Sequence, residues 1–290
     1  METLKPYARK MIYDIFNKLG IFPVSNNTFI NNINVIYNHV INGDYVQTSK
    51  RDRLIIISNV LKALKQTKAY NIVYEKAKFY NNEFLKNEYN QQLTETEKAN
   101  YITYDELLKK LNILISIYND DTTDANIKNV LILALYILHP PLRNDYYNMK
   151  IIYRDSDETD KKQNYILSIN DSYYIIINND KVINSHGRGE FPIMNKLLKN
   201  ILNVYLKAHH PQNVYLFQRK DGTPYTKKQI QYIINKMFKS IDKTLTIYNL
   251  RSAYITDFYK KNLDIISRSN LADNMRHSKN IAELTYFKFL

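Results

Sequence analysis

The sequence predicts a mainly α-helical protein with one small antiparallel β-sheet, laid out as two domains. Three observations predict it. Apolar residues recur at helical spacing through the N-terminal third and again from Thr103 onward. Four short segments rich in β-branched and aromatic residues crowd between positions 147 and 193, separated by Asn, Asp, Ser and Gly. A polar run, NEYNQQLTETEK at 87–98, interrupts the apolar pattern between the two helical regions. The boundary falls in that run, giving a helical domain over residues 1–95 and a mixed α and β domain over residues 96–290.

In chain order, Phe29, Ile33, Ile36 and Val40 share one helical face, and Gly43 follows as a stop. Thr48 or Ser49 caps the next helix, RDRLIIISNVLKALKQ, which Ile57, Val60, Leu61 and Leu64 stripe. A third helix, near Tyr70 to Leu85, alternates aromatics with lysines. Residues before Thr28 fit either an arm or a segment packed on these helices. After the polar run, Thr103-Tyr-Asp-Glu106 is a capping box that opens DELLKKLNILISIY. Thr123 caps DANIKNVLILALYIL, a helix apolar on almost every side, and His139-Pro-Pro141 ends it. YNMKIIY, NYILSI, SYYIII and EFPI then read as strands. Helices resume with MNKLLKNILNVYLKAH, KKQIQYIINKMFKS and LRSAYITDFYKK, and continue to the end.

Of the 290 residues 44% are apolar, enough for a core in each domain. Lys and Arg number 41 against 28 Asp and Glu, a net charge of +13. That balance calls for a polyanionic partner, with nucleic acid ahead of membrane. The absence of cysteine excludes disulfides and cysteine-based zinc sites and fits a reducing compartment. His209 and His210 are adjacent in a loop and do not make a metal set. The first residues lack the apolar core of a signal peptide, and the longest apolar run, Val130 to Leu138, is too short to span a bilayer. The expectation is an intracellular protein of host cytoplasm, nucleus or virion. The bias toward Asn, Ile, Lys and Tyr, with 5 Gly, suits the AT-rich genomes of many mobile elements and large viruses.

Five positions carry chemistry. Arg143 follows the Pro-Pro turn, and Lys181 sits between two predicted strands. Arg251 closes Tyr248-Asn-Leu-Arg251. His277 and Ser278 precede Tyr286 by nine and eight residues. Arginine's planar fork binds phosphate bidentately and keeps its charge. A lysine can protonate a leaving alkoxide, and a tyrosine can attack phosphorus. In this order the residues resemble those of the tyrosine recombinases, the phage-integrase family, over roughly the last two-thirds of the chain.

The resemblance implies a core-binding, DNA-clamping N-terminal domain and a catalytic domain. It implies a site-specific recombinase or integrase that acts on double-stranded DNA. A 3′-phosphotyrosine on Tyr286 conserves the bond energy, so neither metal nor ATP is required as a cofactor. Arg143 and Arg251 would hold the scissile phosphate, Lys181 would be the general acid with Arg188 its nearest competitor, and His277 would donate to the phosphate. The protein is expected to be a monomer in free solution and a tetramer on DNA, with Phe287, Phe289 and Leu290 as a short apolar hook. Two positions depart from the pattern. Tyr248 stands where the family has histidine; a phenol with a pKa of about 10 can donate a hydrogen bond to phosphate but is a poor base. Arg276 stands where a small residue is usual, and is expected to contact a DNA phosphate or crowd the turn. A small viral type IB topoisomerase shares the residue order, but has a β-rich N-terminal domain. A DNA-binding protein that kept the fold and lost catalysis is the alternative from another class.

Overall fold

The computed structural model describes residues 4–89, 93, 95–209, 214–241, 243–262, 264–278 and 281–287. The chain forms two compact units, Met1–Asn90 and Gln91–Leu290.

The first unit is helical: α1 (Pro6–Leu19), α2 (Asn26–Asn31), α3 (Ile33–Asn42), α4 (Gln47–Ala63) and α5 (Thr67–Tyr89). From residue 4 onward the chain before Thr28 is not an arm, because α1 buries Ile12, Ile15 and Phe16 in the same core as Phe29, Ile36 and Leu61. The stripe from Phe29 to Val40 is split at Asn32, whose side-chain amide donates to the Thr28 carbonyl at 2.9 Å. Gly43 ends α3 as expected; a Cβ there would lie 2.5 Å from the His39 carbonyl oxygen. The next helix starts earlier than expected. Val46 is its N-cap, and Thr48 and Ser49 lie within its first turn. Lys50 draws this turn onto α3 by donating to the Ile41 carbonyl at 2.7 Å, and the Ser49 hydroxyl accepts from Arg53 instead of capping.

The second unit opens with α6 (Glu95–Ala99), within the polar run. Next come α7 (Tyr104–Asp120) and α8 (Asp124–Ile137). The Thr103–Glu106 capping box and the Thr123 cap are both present. Helix α8 is buried from Val130 to Ile137 and forms the centre of the main core. The sheet holds β1 (Lys150–Ile152), β2 (Tyr165–Ile169), β3 (Ser172–Ile177) and β4 (Gly189–Pro192) in that order. β2, β3 and β4 are antiparallel, but β1 runs parallel to β2, so the small sheet is mixed. The other edge of β1 bonds to the segment at 214–216, through Ile151 N–H to Val214 O at 2.9 Å and Leu216 N–H to Met149 O at 2.8 Å. A two-residue turn, Asn170 (φ +47) and Asp171 (φ +59), joins β2 to β3 with the left-handed backbone such hairpins need. The β3–β4 connection is longer and carries the short helix α9 (Ile183–His186).

Helices α10 (Lys196–His209), α11 (Lys227–Phe238), α12 (Ile247–Lys261) and α13 (Ile265–Asn274) complete the unit. A π-type turn, Ala282–Tyr286, follows and packs on α12. No helix among the described residues is long and apolar enough to cross a membrane.

Candidate active site

Helix α12 builds the centre of the site. It begins at Ile247, three residues before the predicted start, so Tyr248 and Arg251 both lie on it at i and i+3, on one face. The helix holds the last turn by that turn's carbonyls. The Tyr248 hydroxyl donates to the Thr285 carbonyl at 2.6 Å, and the Ser252 hydroxyl donates to the Tyr286 carbonyl at 2.5 Å. Carbonyls at a helix end lack intrahelical donors, so these two hydroxyls complete the turn. The Tyr286 side chain is thereby held among three partners. Its ring centroid lies 5.3 Å from Tyr248 and 5.5 Å from His277, which stacks at 21°. The Arg251 guanidinium carbon sits 4.8 Å from the Tyr286 ring centroid, a cation–π placement.

Arg251 is 1% exposed. Its Nη1 donates to the Pro141 carbonyl, while Nε and Nη2 are buried with no partner among the described residues. Burial lowers its pKa and the neighbouring Tyr286 opposes that shift. Guanidinium nonetheless stays charged near neutrality. A buried cation with two unmatched N–H groups is costly unless an anion meets them. His277 is equally buried, and its Nε2 also lacks a partner among the described residues. Its Nδ1 lies 3.3 Å from the Ser278 carbonyl, which can only accept, so Nδ1 carries the proton in the free protein. Burial first, then repulsion from Arg251, pushes the His277 pKa down to about 3. The imidazole is therefore neutral, and an arriving phosphate would offset the arginine repulsion and favour a proton on Nε2.

Arg143 lies in the loop after α8. Two tyrosines fix that loop: Tyr136 donates to the Arg143 carbonyl at 3.0 Å, and Tyr146 to the Leu135 carbonyl at 3.3 Å. The half-buried Arg143 side chain is close enough to disfavour the charged forms of Arg251 and His277. It also lines a cavity of about 390 Å³ with Lys181, Lys162 and Lys227, facing Asp145 and Asp180. Burial, then Asp180, raises the Asp145 pKa. Lys181 is exposed in the β3–β4 connection, between two strands as expected, and forms no salt bridge among the described residues. Arg188, its competitor, is occupied by Glu158 at 3.0 Å and Glu190 at 2.9 Å. Arg251, His277 and Tyr248 thus surround Tyr286, Lys181 lines the cavity, and Arg143 belongs to both groups.

Sequence reasoning missed Ser252 and Asp180, and misjudged Arg276. Neither a DNA contact nor crowding describes Arg276. It is 4% exposed and turned inward, with Nε donating to Asp180 Oδ2 at 2.6 Å. Its φ of +54 puts it at the left-handed position after α13. Arg276 N–H bonds Asp273 O at 2.9 Å and His277 N–H bonds Ala272 O at 3.1 Å, the two bonds of a Schellman cap. Glycine is the usual residue there. The departure from a small residue was the sequence signal; nothing pointed to its partner 96 positions away. His209 is bound to Asp124 and the Tyr205 carbonyl, and no metal-binding group of His, Cys, Asp or Glu occurs among the described residues.

The sequence matches no family model and no curated protein. Solved structures do align with it. The XerA recombinase aligns over 99% of this chain and 90% of its own, at 15% identity and a TM-score of 0.45. The XerH site-specific recombinase bound to palindromic difH substrate, a post-cleavage complex, aligns over 97% and 86%, at 15% identity and a TM-score of 0.49. A lambda integrase dimer bound to a COC′ core site aligns over 94% and 75%, at 13% identity and a TM-score of 0.41. Along nearly its whole length, the chain is similar to solved structures of tyrosine recombinases.

Proposed function

We propose that this protein is a tyrosine recombinase that breaks and rejoins duplex DNA through a 3′-phosphotyrosine on Tyr286. The observation that carries the reading is the buried Arg251 guanidinium, set over the Tyr286 ring with two N–H groups unmatched among the described residues. A phosphodiester supplies the missing acceptors and neutralises the charge. In the reaction the Tyr286 oxygen attacks phosphorus, the bond to the 5′ oxygen breaks, and the phenol proton passes to solvent. Arg143 and Arg251 hold the non-bridging oxygens, where charge develops in the transition state. His277 donates from Nε2 once the charge of the bound phosphate has drawn a solvent proton onto that nitrogen. Lys181 gives its proton to the 5′ oxygen. The 5′ hydroxyl of another strand reverses the steps, and no metal or ATP takes part. Tyr248 acts differently from the phosphate donor its position suggests. Its proton is committed to the Thr285 carbonyl, so it positions the nucleophile's turn.

That commitment favours a second reading, a DNA-binding protein that has lost catalysis, since Tyr248 offers no base. The unmatched groups on Arg251 and His277 would hold a phosphate under either reading; the placement of Arg251 over the Tyr286 ring weighs for catalysis, because phosphate binding alone needs no tyrosine there. The first unit, helical and without strands among its described residues, weighs against a type IB topoisomerase. The partner proposed is double-stranded DNA, bound by a free monomer that assembles into a tetramer on its sites. Of the apolar hook, only Phe287 lies among the described residues. Phe287 packs on Tyr259 of its own chain at 5.4 Å between ring centroids, and Lys288 to Leu290 lie outside the described residues.

The test is a nicked suicide DNA substrate, with covalent adduct read on a denaturing gel. Wild type should form adduct, and Tyr286→Phe should form none while binding DNA as wild type does. An adduct that survives Tyr286→Phe would place the nucleophile elsewhere, a poor prospect for Tyr259, whose pKa burial pushes up to about 12.

A further inference from the structure

A buried ion pair ties the loop that carries Lys181 to the turn that carries His277. Arg276 and Asp180 are 4% and 3% exposed in their side chains. Arg276 Nε donates to Asp180 Oδ2 at 2.6 Å, and Nη2 donates to Oδ1 at 3.3 Å. The same Nη2 donates to the Gly187 carbonyl at 2.6 Å, beyond the far end of α9. One guanidinium therefore grips both ends of the β3–β4 connection. Asp180 Oδ1 also accepts from the Val182 N–H at 3.1 Å, so the backbone on either side of Lys181 is fixed by this one carboxylate.

The surroundings are shaped to admit the arginine. Gly189 opens β4, and a Cβ there would lie 2.5 Å from Arg276 Nη1. Arg276 itself occupies a left-handed position that glycine fills at less cost. A buried ion pair is a poor source of stability compared with an apolar pair of similar size. What it supplies is direction, since a bidentate fork admits one orientation. Lysine is long and flexible, so the reach of its ammonium is set by where its backbone is held.

We infer that Arg276 and Asp180 are positioning residues, a latch that holds Lys181 where it can protonate the leaving oxygen. The inference rests on the recombinase reading and deepens it. The latch also gives the arginine before His277 a role, since its side chain fastens the loop.

The test compares two suicide substrates under single-turnover conditions, one with the normal 5′ oxygen and one with a 5′-bridging phosphorothiolate. A thiolate leaves without needing a proton, so the second substrate bypasses the general acid. Lys181→Ala is the reference. Asp180→Asn is expected to slow the oxygen substrate at least about tenfold and the sulfur substrate less than about threefold, following Lys181→Ala in pattern. Arg276→Lys keeps the charge but loses the fork, and should show a smaller loss of the same kind. Circular dichroism and melting check the fold; should Asp180→Asn fail to fold, Arg276→Lys carries the comparison. Equal loss on both substrates would show that the pair serves the fold or His277 and not Lys181, and no loss on either would also overturn the latch. Absence of adduct from wild type on both substrates would remove the recombinase reading and this inference with it.

Discussion

Arg251 and His277 set function against stability at the level of single groups. Arg251 keeps a charge at 1% exposure with two N–H groups unmatched among the described residues. Such a group costs roughly 1–3 kcal/mol in the folded state. Arg251→Met, similar in length and uncharged, should therefore leave the melting temperature unchanged or raised. It should slow adduct formation by about a hundred- to a thousandfold, the usual loss of one preorganised donor. Parallel losses of stability and cleavage would make Arg251 a structural residue. His277 gives a pH signature. Its pKa in the fold is about 3, below the ordinary 6.5, so the unfolded chain takes up the proton first. Its contribution is complete above pH 6.5 and is lost as pH falls toward 3. His139, held by burial at about 4, acts in the same direction. Thermal melts from pH 7 to 4 should show falling stability, and His277→Gln should flatten that slope without abolishing it. An identical slope would mean that the ring is protonated or solvated in the fold. Residue order singled out Arg251 and Tyr286, and the fold brings the guanidinium to 4.8 Å from the Tyr286 ring centroid. The Arg276–Asp180 pair could not be singled out that way, because a contact across 96 positions leaves no local trace.

At the scale of elements, local signals were legible and tertiary ones were not. The Thr103–Glu106 box and the Thr123 cap fixed two helix starts because each cap is made within four residues. The start of α4 was misread because Lys50 reaches back to Ile41 on the preceding helix. The direction of β1 was hidden because a three-residue strand, Lys150–Ile152, carries no local signal of the sense in which it pairs with β2. The last turn belongs to this class. Its carbonyls are fastened from α12, through Tyr248 and Ser252, and its own sequence shows nothing of those partners. Tyr248→Phe removes one hydroxyl and leaves the Thr285 carbonyl without that donor. Stability should fall by about 1 kcal/mol. Cleavage should fall further than DNA affinity, because the turn that carries Tyr286 loses one of its fastenings. An unaltered cleavage rate would show that the bonds from Ser252 and Thr256 to the Tyr286 carbonyl suffice.

The whole molecule divides its charge unevenly. Residues 1–90 carry 13 Lys and Arg against 7 Asp and Glu, and residues 91–290 carry 28 against 21. Per residue, the excess on the first unit is about twice that on the second. Each unit has a hydrophobic core of its own, Phe16, Phe29 and Leu61 in the first and α8 in the second. A fragment beginning at Gln91 keeps every proposed catalytic residue and that second core, and is expected to fold. DNA affinity that comes from phosphate neutralisation falls with salt at a log–log slope of about −0.9 per phosphate contacted. The full chain should therefore show a steep slope and the fragment a shallower one, with weaker binding at every salt concentration. The difference between the two slopes, divided by about 0.9, counts the phosphates the first unit contacts. Since the fragment retains the phosphate-binding residues of the proposed site, it should still form adduct on a suicide substrate when supplied at higher concentration. A fragment with the full chain's slope would assign all DNA contacts to the second unit and leave the charge on the first without a role in binding.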